Sequence, residues 1–586
     1  MFQADRILES ITMVITRILL KLIIHMLILT MLVSCLEPAP VKEVPADGAA
    51  NSLNDDTTSD SSSGGSSNDS TSSTAGSDPL VEFQWHLDNT GTNPIIDADD
   101  GNTFNGVAGE DLNIKELYDS GAKGEGVTVA VVDDGLEVVH PDLNANINQS
   151  LSYNYLNGST NPSPAQNNGH GTACAGIIAA RDSNDEGIRG ISPRSTLVGY
   201  NLIAGYQSSR AFDAMTRNKN TVQVSNNSWG PADGYGTFTD ADSVWAAGIK
   251  DGTSTGRNGK GIVYVWAAGN GGNLADISNY DGFASQEGVI AVAAIGNTGS
   301  FASYSEYGSN IWLAAPSMGD NGEGIVTTDL RGNSKGYNTS SDGSGDFSNR
   351  NYTNSFNGTS AATPMVSGVA ALMLEANPLL SYRDVKAILA KTARKNDPTN
   401  INWDTNSAGN DYNYNYGFGA VDAQRAVSAS VSWSLLPSQK IESWPTSGVQ
   451  SVGTVIDDAG TLVSSNINIS GSAISSIEFI EVELNMEHND WGNIEVILER
   501  NGSTTTSSIL AVAHPCINSS LSAIIDCTKS NDTFTFGVAK HFEEDPDATW
   551  TLKVRDAEAA NDIDNSDPTD GEAGTLVSWR MKIYGH

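Results

Sequence analysis

The chain has 586 residues, too many for one domain, with 32 basic against 70 acidic side chains and a formal net charge of −38 at pH 7. Such a balance repels phosphate, which excludes nucleic-acid binding, and it draws cationic substrates and divalent cations. Part of the acidity serves solubility alone.

The first segment reads as a targeting signal. Arg17 and Lys21 precede an apolar run over 22–33, broken by His25 and Thr30 and too short for a comfortable membrane-spanning helix. The run meets Leu32-Val33-Ser34-Cys35, which is similar to a bacterial lipobox. That similarity makes Cys35 the expected lipidated first residue of the mature chain, with Met13 a more typical start than Met1. An ordinary cleaved signal and an uncleaved anchor are the alternatives. The expected location is the bacterial cell envelope, at the outer membrane or cell surface, with 1–35 as the signal and a lipid as the membrane link. Residues 36–77 are rich in Ser, Asp, Gly, Asn and Thr and cannot bury enough surface to fold, so they read as a flexible tether.

Residues 78–427 interleave short apolar strands with helices. Strands are expected at 127–132, 197–200, 222–224, 261–266 and 289–294. Helices are expected from 171–180 and over 361–376, the second with Pro364 near its start and Pro378 past its end. Continuous apolar strands between helices predict an α/β domain with a doubly wound, mainly parallel sheet covered on both faces. Residues 428–586 change character. Segments 477–486, 493–500, 549–555 and 575–584 alternate apolar and polar residues between turns, the pattern of an all-β antiparallel sandwich. Cys516 and Cys527 are close enough for one small disulfide there, which suits an exported chain. No cysteine or histidine pair has zinc-site spacing.

The chemistry-bearing residues stand at strand ends and helix starts, where doubly wound sheets bind ligands. Asp133-Asp134-Gly135 ends the strand at 127–132, and Ala267-Ala268-Gly269-Asn270 follows the strand at 261–266. His170 and Ser360 each open a helix. Peptide cleavage by serine needs a base for the hydroxyl, a carboxylate to orient the base, and fixed donors for the oxyanion. Ser360 is the candidate nucleophile, His170 the base and Asp133 the orienting acid. Asn270 and the Ser360 backbone N–H are the candidate oxyanion donors.

The order Asp, His, Ser and the segments VAVVDDG, NGHGTACAG, VWAAGNGG and NGTSAATPMVSG resemble the four signatures of the subtilase family. Within it, Asp133-Asp134-Gly135 with His140-Pro141-Asp142-Leu143, and Ser228-Trp229-Gly230-Pro231-Ala232-Asp233, are similar to segments of the kexin- and furin-like proprotein convertases. Trp550–Asp556 and Gly574–Trp579 look like the jelly-roll-like P domain of that group. The resemblance implies a serine endopeptidase that cuts after Arg or Lys, perhaps at paired sites.

It also implies further site residues. Asp233 and Asp281 match acids of the P1 pocket, Asp134 an acid facing P2, and Asp240 and, more loosely, Asp213 acids facing P4. Ser228, Trp229 and Gly230 match the strand that pairs with substrate, although Trp229 suits core packing equally. Calcium is implied at Asp233, Asp276 and Glu306, and at Asp78, Asp142 and Asn184; acid-rich loops without metal are the alternative. Cys174, one turn from His170, reads as a small buried residue rather than a second nucleophile. The family's folded prodomain does not fit between Cys35 and Asp78. Either calcium alone supports folding, or a separate protein acts as chaperone and inhibitor. A broad degradative protease and a surface-binding protein with weak proteolysis are the competing readings.

Overall fold

The computed structural model describes residues 77–94, 104–165, 167–274, 276–339, 346–517, 524–525, 527–529, 532–557 and 573–586. The expected signal, Cys35 and the tether lie outside the described residues.

Seven parallel strands form the central sheet: β1 (Thr128–Asp133), β2 (Tyr153–Asn154), β3 (Thr196–Asn201), β4 (Val224–Asn227), β5 (Val263–Ala267), β6 (Val289–Ile295) and β7 (Ile311–Pro316). Their order is β2-β3-β1-β4-β5-β6-β7. The direction of winding therefore reverses at β1, and the carboxyl ends of β1, β4 and β5 open on one crevice.

Alternate residues of each strand serve two separate cores. Val129, Val131, Val263, Val265, Ile290 and Val292 pack with the helices α2 (His170–Ala179) and α5 (Thr359–Ala376), with α1 (Lys115–Ser120) at the margin. Ala130, Val132, Tyr264, Trp266 and Ala291 pack on the other side with α3 (Ser208–Thr216) and α4 (Ser243–Gly259). Burial on both faces explains why these strands read as unbroken apolar runs.

The expected strand at 222–224 lies further on, at β4. Its Ser-Asn-Asn is buried, and apolar periodicity misses it because these polar side chains find partners inside the core, the Asn227 Oδ1 excepted. Asn227 Nδ2 donates to the Ser225 carbonyl at 3.1 Å, and Asn226 Oδ1 accepts the Ser367 hydroxyl at 2.9 Å.

Two further helices, α6 (Tyr382–Thr392) and α7 (Ala423–Val431), complete this part. The helix α7 runs past residue 427, so the expected boundary at 427/428 falls inside a helix. Asp422 caps its start by accepting the Arg425 N–H, and the apolar residues of α7 pack on α5 and α6, not on the sandwich.

The remainder is the expected antiparallel sandwich. In one sheet Gly574–Gly585 pairs with Lys440–Trp444, Gln450–Ile456 and Ile477–Glu487, and the last of these pairs with Thr533–Val538. The other sheet runs Val463–Asn468, Thr549–Asp556, Ile494–Arg500 and Ser503–Ala511. The core between them contains Val482, Leu484, Trp491, Phe536, Trp550 and Trp579, and it takes in Ile277 and Tyr280 from the first part. Hydrogen bonds stitch the same seam: Asn279 Nδ2 donates to the Gly537 carbonyl at 2.9 Å, and Asn406 Nδ2 donates to the carbonyls of Lys540 and Phe542 at 2.9 Å. Cys516 and Cys527 are disulfide-bonded.

A chain cut after Val431 would uncover Ile277, Tyr280 and the buried amides of the seam. It is expected to elute as soluble aggregate on size-exclusion chromatography. A monodisperse, fully active fragment would count against the shared core.

Candidate active site

Asp133 and His170 are bonded to each other, and Ser360 and Asn270 line one cleft, where the Ser360 hydroxyl bonds Ser228 and not His170. Asp133 ends β1 fully buried, and its Oδ1 lies 2.8 Å from His170 Nδ1. The same oxygen accepts the Asp134 N–H at 2.7 Å. His170 is the first residue of α2, whose N-cap, Gly169, has no side chain to offer the free N–H groups. Asp134 supplies the acceptors instead: its carboxylate takes the N–H groups of His170 at 3.2 Å and Gly171 at 2.9 Å. Both oxygens of the expected P2-facing acid are thus committed to the helix end.

Ser360 stands in the first turn of α5. Pro364, four residues on, has no N–H to give the Ser360 carbonyl. That carbonyl instead accepts the Ser228 hydroxyl at 3.1 Å. In return the Ser360 hydroxyl donates to the Ser228 carbonyl at 3.2 Å. The residue just past β4 and the second residue of α5 are therefore tied twice. Gly358, the N-cap, has φ +79°, and a Cβ there would lie 3.1 Å from Asn270 Oδ1.

Asn270 is held from both sides. Its Oδ1 accepts the Thr359 N–H at 2.8 Å and the Thr359 hydroxyl at 3.0 Å, and its Nδ2 donates to Asp233 at 3.3 Å. With the oxygen fixed on Thr359, the NH2 group faces the crevice with one hydrogen to spare. Sequence reasoning missed Thr359 in this role, because nothing in its spacing distinguishes it from a helix-start threonine.

Burial works to lower the His170 pKa, but the charge and hydrogen bond of Asp133, with Asp134 behind, outweigh it and raise it to about 9. The arrangement can take a proton from a nearby hydroxyl and hold it. Cys174 is fully buried, and its thiol pKa is pushed well up by burial and by Asp133. It packs beneath the site, as expected, and has no thiolate to offer.

Beside Ser360 lies a cleft of about 230 Å³ lined by Ser228, Trp229, Gly230, Asn270 and four carboxylates: Asp233, Asp276, Asp281 and Glu306. No lysine or arginine lines it. Asp281 is pushed up to about 7 by burial, despite the N–H groups it accepts, and Asp233 and Asp276 add to the rise. Burial and the neighbouring acids also raise Asp276 and Glu306. These are carboxylates that lack a counter-cation. Trp229 lines the cleft, and its ring meets Trp266 edge-on at 4.5 Å, which is the core packing.

Asp240 and Asp213 are placed elsewhere. Asp240 pairs with Lys529 of the sandwich at 2.5 Å, and Asp213 binds Arg217 at 2.5 Å and the Tyr155 hydroxyl at 2.6 Å. Neither lines the cleft, and cationic partners already occupy both.

The second acid cluster also assembles. Asn184 Nδ2 donates to Asp142 at 2.9 Å, its N–H approaches Asp78 at 3.4 Å, and Asp142 accepts the Ile188 N–H at 3.0 Å. Burial pushes Asp142 up to about 7 and raises Asp78. Asp78 Oδ2 is buried without a hydrogen bond, 3.5 Å from Arg189 Nε. An orphaned carboxylate oxygen among hard oxygen donors fits Ca²⁺, as do the acids of the cleft.

Residues 124–419 match the subtilase family, peptidase S8. The protein is a subtilase. It is 30% identical over 523 residues to PC3-like endoprotease variant B of Hydra vulgaris, covering 86% of this chain and 68% of that one. The dibasic-processing endoprotease of Schizosaccharomyces pombe is 29% identical, with 87% and 65% covered, and furin of Rattus norvegicus 27%, with 87% and 58% covered. The subtilase thus spans roughly three fifths to two thirds of the length of these curated relatives. Among solved structures, the serine protease of Aeromonas sobria superposes with TM-score 0.75 at 27% identity, covering 87% of this chain and 96% of that one. The same protease in complex with its chaperone gives 0.76, with 87% and 95% covered. The subtilase is accordingly a serine-type endopeptidase, related to the kexin- and furin-like convertases.

A raised His170 pKa places any limb of the pH–rate profile that follows this imidazole on the alkaline side. Asp134→Asn removes one of the charges that raise it. The limb of kcat/KM is expected to move to lower pH. A limb that stays in place or moves up would overturn this account.

Proposed function

We propose that the subtilase cuts polypeptides after arginine or lysine, preferably at paired basic sites, with Ser360 as nucleophile, His170 as general base and Asp133 as orienting acid. The observation that carries the specificity is the four-carboxylate cleft beside Ser360. A guanidinium entering it gains charge-assisted, often bidentate hydrogen bonds and relieves the repulsion among buried acids. Asp233 and Asp281 flank the P1 side chain, and Asp134 extends the negative field toward P2. The name of the fission-yeast relative, a dibasic-processing endoprotease, points the same way.

In this reading the substrate backbone adds as a strand along Ser228–Gly230. The Ser360 hydroxyl leaves the Ser228 carbonyl and gives its proton to His170 Nε2 as Oγ bonds the scissile carbon. The oxyanion is received by Asn270 Nδ2 and the Ser360 N–H. His170 then passes the proton to the leaving amine, and water, deprotonated by the same imidazole, releases the acyl group.

Calcium is assigned to Asp78, Asp142 and Asn184, and to Asp233, Asp276 and Glu306, where it would neutralise buried charge. The lipobox-like Cys35 supports export and lipid anchoring at the bacterial envelope. A separate chaperone is the proposed folding partner, since the Aeromonas protease is found with one.

Fluorogenic peptides ending in Arg-Arg, Ala-Arg and Ala-Phe test the specificity. Cleavage of the first two, lost in Ser360→Ala, is expected. Cleavage of Ala-Phe alone would discard the basic pocket and leave a broad degradative protease. Calcium at a hundredfold excess over its Kd should stabilise the fold by about 3 kcal/mol. Asp142→Asn should remove much of that gain in melting temperature, and an identical gain in the variant would sink the assignment.

A further inference from the structure

The acidic cleft is built on a loop that the catalytic part does not hold by itself. Residues 234–238 follow Asp233 directly. On the cleft side, the Gly234 N–H donates to Asp276 Oδ2 at 2.9 Å. On the other side its anchors come from the sandwich and from Tyr280, whose ring lies 4.3 Å from that of Phe238. The Tyr235 carbonyl accepts the Ile517 N–H at 3.1 Å, and the Gly236 carbonyl accepts His514 Nε2–H at 2.7 Å. Phe238 inserts among Trp491, Phe534 and Phe536, with ring centroids 5.5, 5.4 and 6.3 Å away.

His514 is buried and stacks on Tyr280, a wall of the cleft, at 4.5 Å and 23°. Its Nδ1 lies 3.0 Å from the Tyr280 hydroxyl and 2.8 Å from the Val512 carbonyl. Each ring nitrogen faces a carbonyl, which only accepts, Nε2 that of Gly236 and Nδ1 that of Val512, so the donor that meets Gly236 is Nε2–H. Gly236 has φ +67°, and a Cβ there would lie 2.7 Å from His514 Cδ2, so the loop and the ring fit only with glycine at this point. The ring itself is clamped. The His514 N–H donates to the Gly492 carbonyl at 2.8 Å, and the Cys516–Cys527 disulfide closes the hairpin that begins two residues later.

We propose that His514 is a positioning residue for the acidic cleft: from the sandwich it fixes the 234–238 loop, and so the placement of Asp233 and Asp276 toward a bound basic side chain. The inference rests on the basic-cleft reading above. A donor lost here loosens the cleft walls and leaves Ser360 and His170 where they are, while Asn270 keeps its hold on Thr359. The effect should fall on KM for basic substrates and spare kcat.

The test compares full-length wild type with His514→Gln and His514→Met, which are close in volume and differ in whether they can donate a hydrogen bond. Arg-ending and Phe-ending fluorogenic peptides are assayed in calcium-containing buffer. His514→Met is expected to raise KM for the Arg peptide about tenfold, with kcat and the Phe peptide changed less than twofold, and His514→Gln to recover most of the loss. Equal effects on both peptides, or a folded His514→Met with wild-type KM, would overturn the proposal. Should His514→Met fail to fold, reduction of Cys516–Cys527 in folded wild type, verified by thiol labelling, reads the same coupling. A selective rise in KM supports it, and an unchanged KM refutes it. Wild type that cuts both peptides equally would instead remove the basic-cleft reading itself.

Discussion

Negative charge held out of water is the constraint around which this molecule is organised. Asp133, Asp142, Asp276, Asp281 and Glu306 are all buried, and all but Asp142 surround the crevice at the carboxyl edge of the sheet. A buried carboxylate is costly unless it is hydrogen-bonded or paired. Asp133 meets that cost with a backbone N–H and His170; Asp134 meets it with the start of α2. The cleft acids find uncharged donors, backbone N–H groups and, for Asp233, the Asn270 amide, and so they stay receptive to a cation. The same physics thus gives a settled pair at Asp133 and His170 and an unsettled group of acids in the cleft beside Ser360.

The backbone is arranged to sustain this. The reversal of winding at β1 sets the ends of β1, β4 and β5 side by side. Pro364 withholds one helix hydrogen bond, so the Ser360 carbonyl is free to engage Ser228. Strict alternation of strand residues between two cores anchors each strand against sliding, because a one-residue slip would exchange its two faces.

Much of this was legible in the sequence because it is local. Asp133, His170, Asn270 and Ser360 each sit at the junction of an apolar strand or helix with a glycine-containing turn, and such junctions leave a pattern in consecutive residues. The sandwich strands declared themselves through alternation, and Cys516 and Cys527 through nearness. What escaped was set by distant partners. Asp240 resembles a subsite acid until Lys529, nearly three hundred positions on, is seen beside it. Thr359 orients Asn270 across 89 positions, and His514 reaches Gly236 across 278. The polar β4 hid for another reason: its buried amides bond Ser225, Ser228 and Ser367, so hydrophobicity does not mark the strand.

Tyr280 belongs at once to the sandwich core and to the wall of the acidic cleft. The consequence concerns failure. A molecule whose sandwich has peeled away also loses the wall against which a substrate side chain rests. Partial unfolding therefore disarms the enzyme instead of releasing an indiscriminate one.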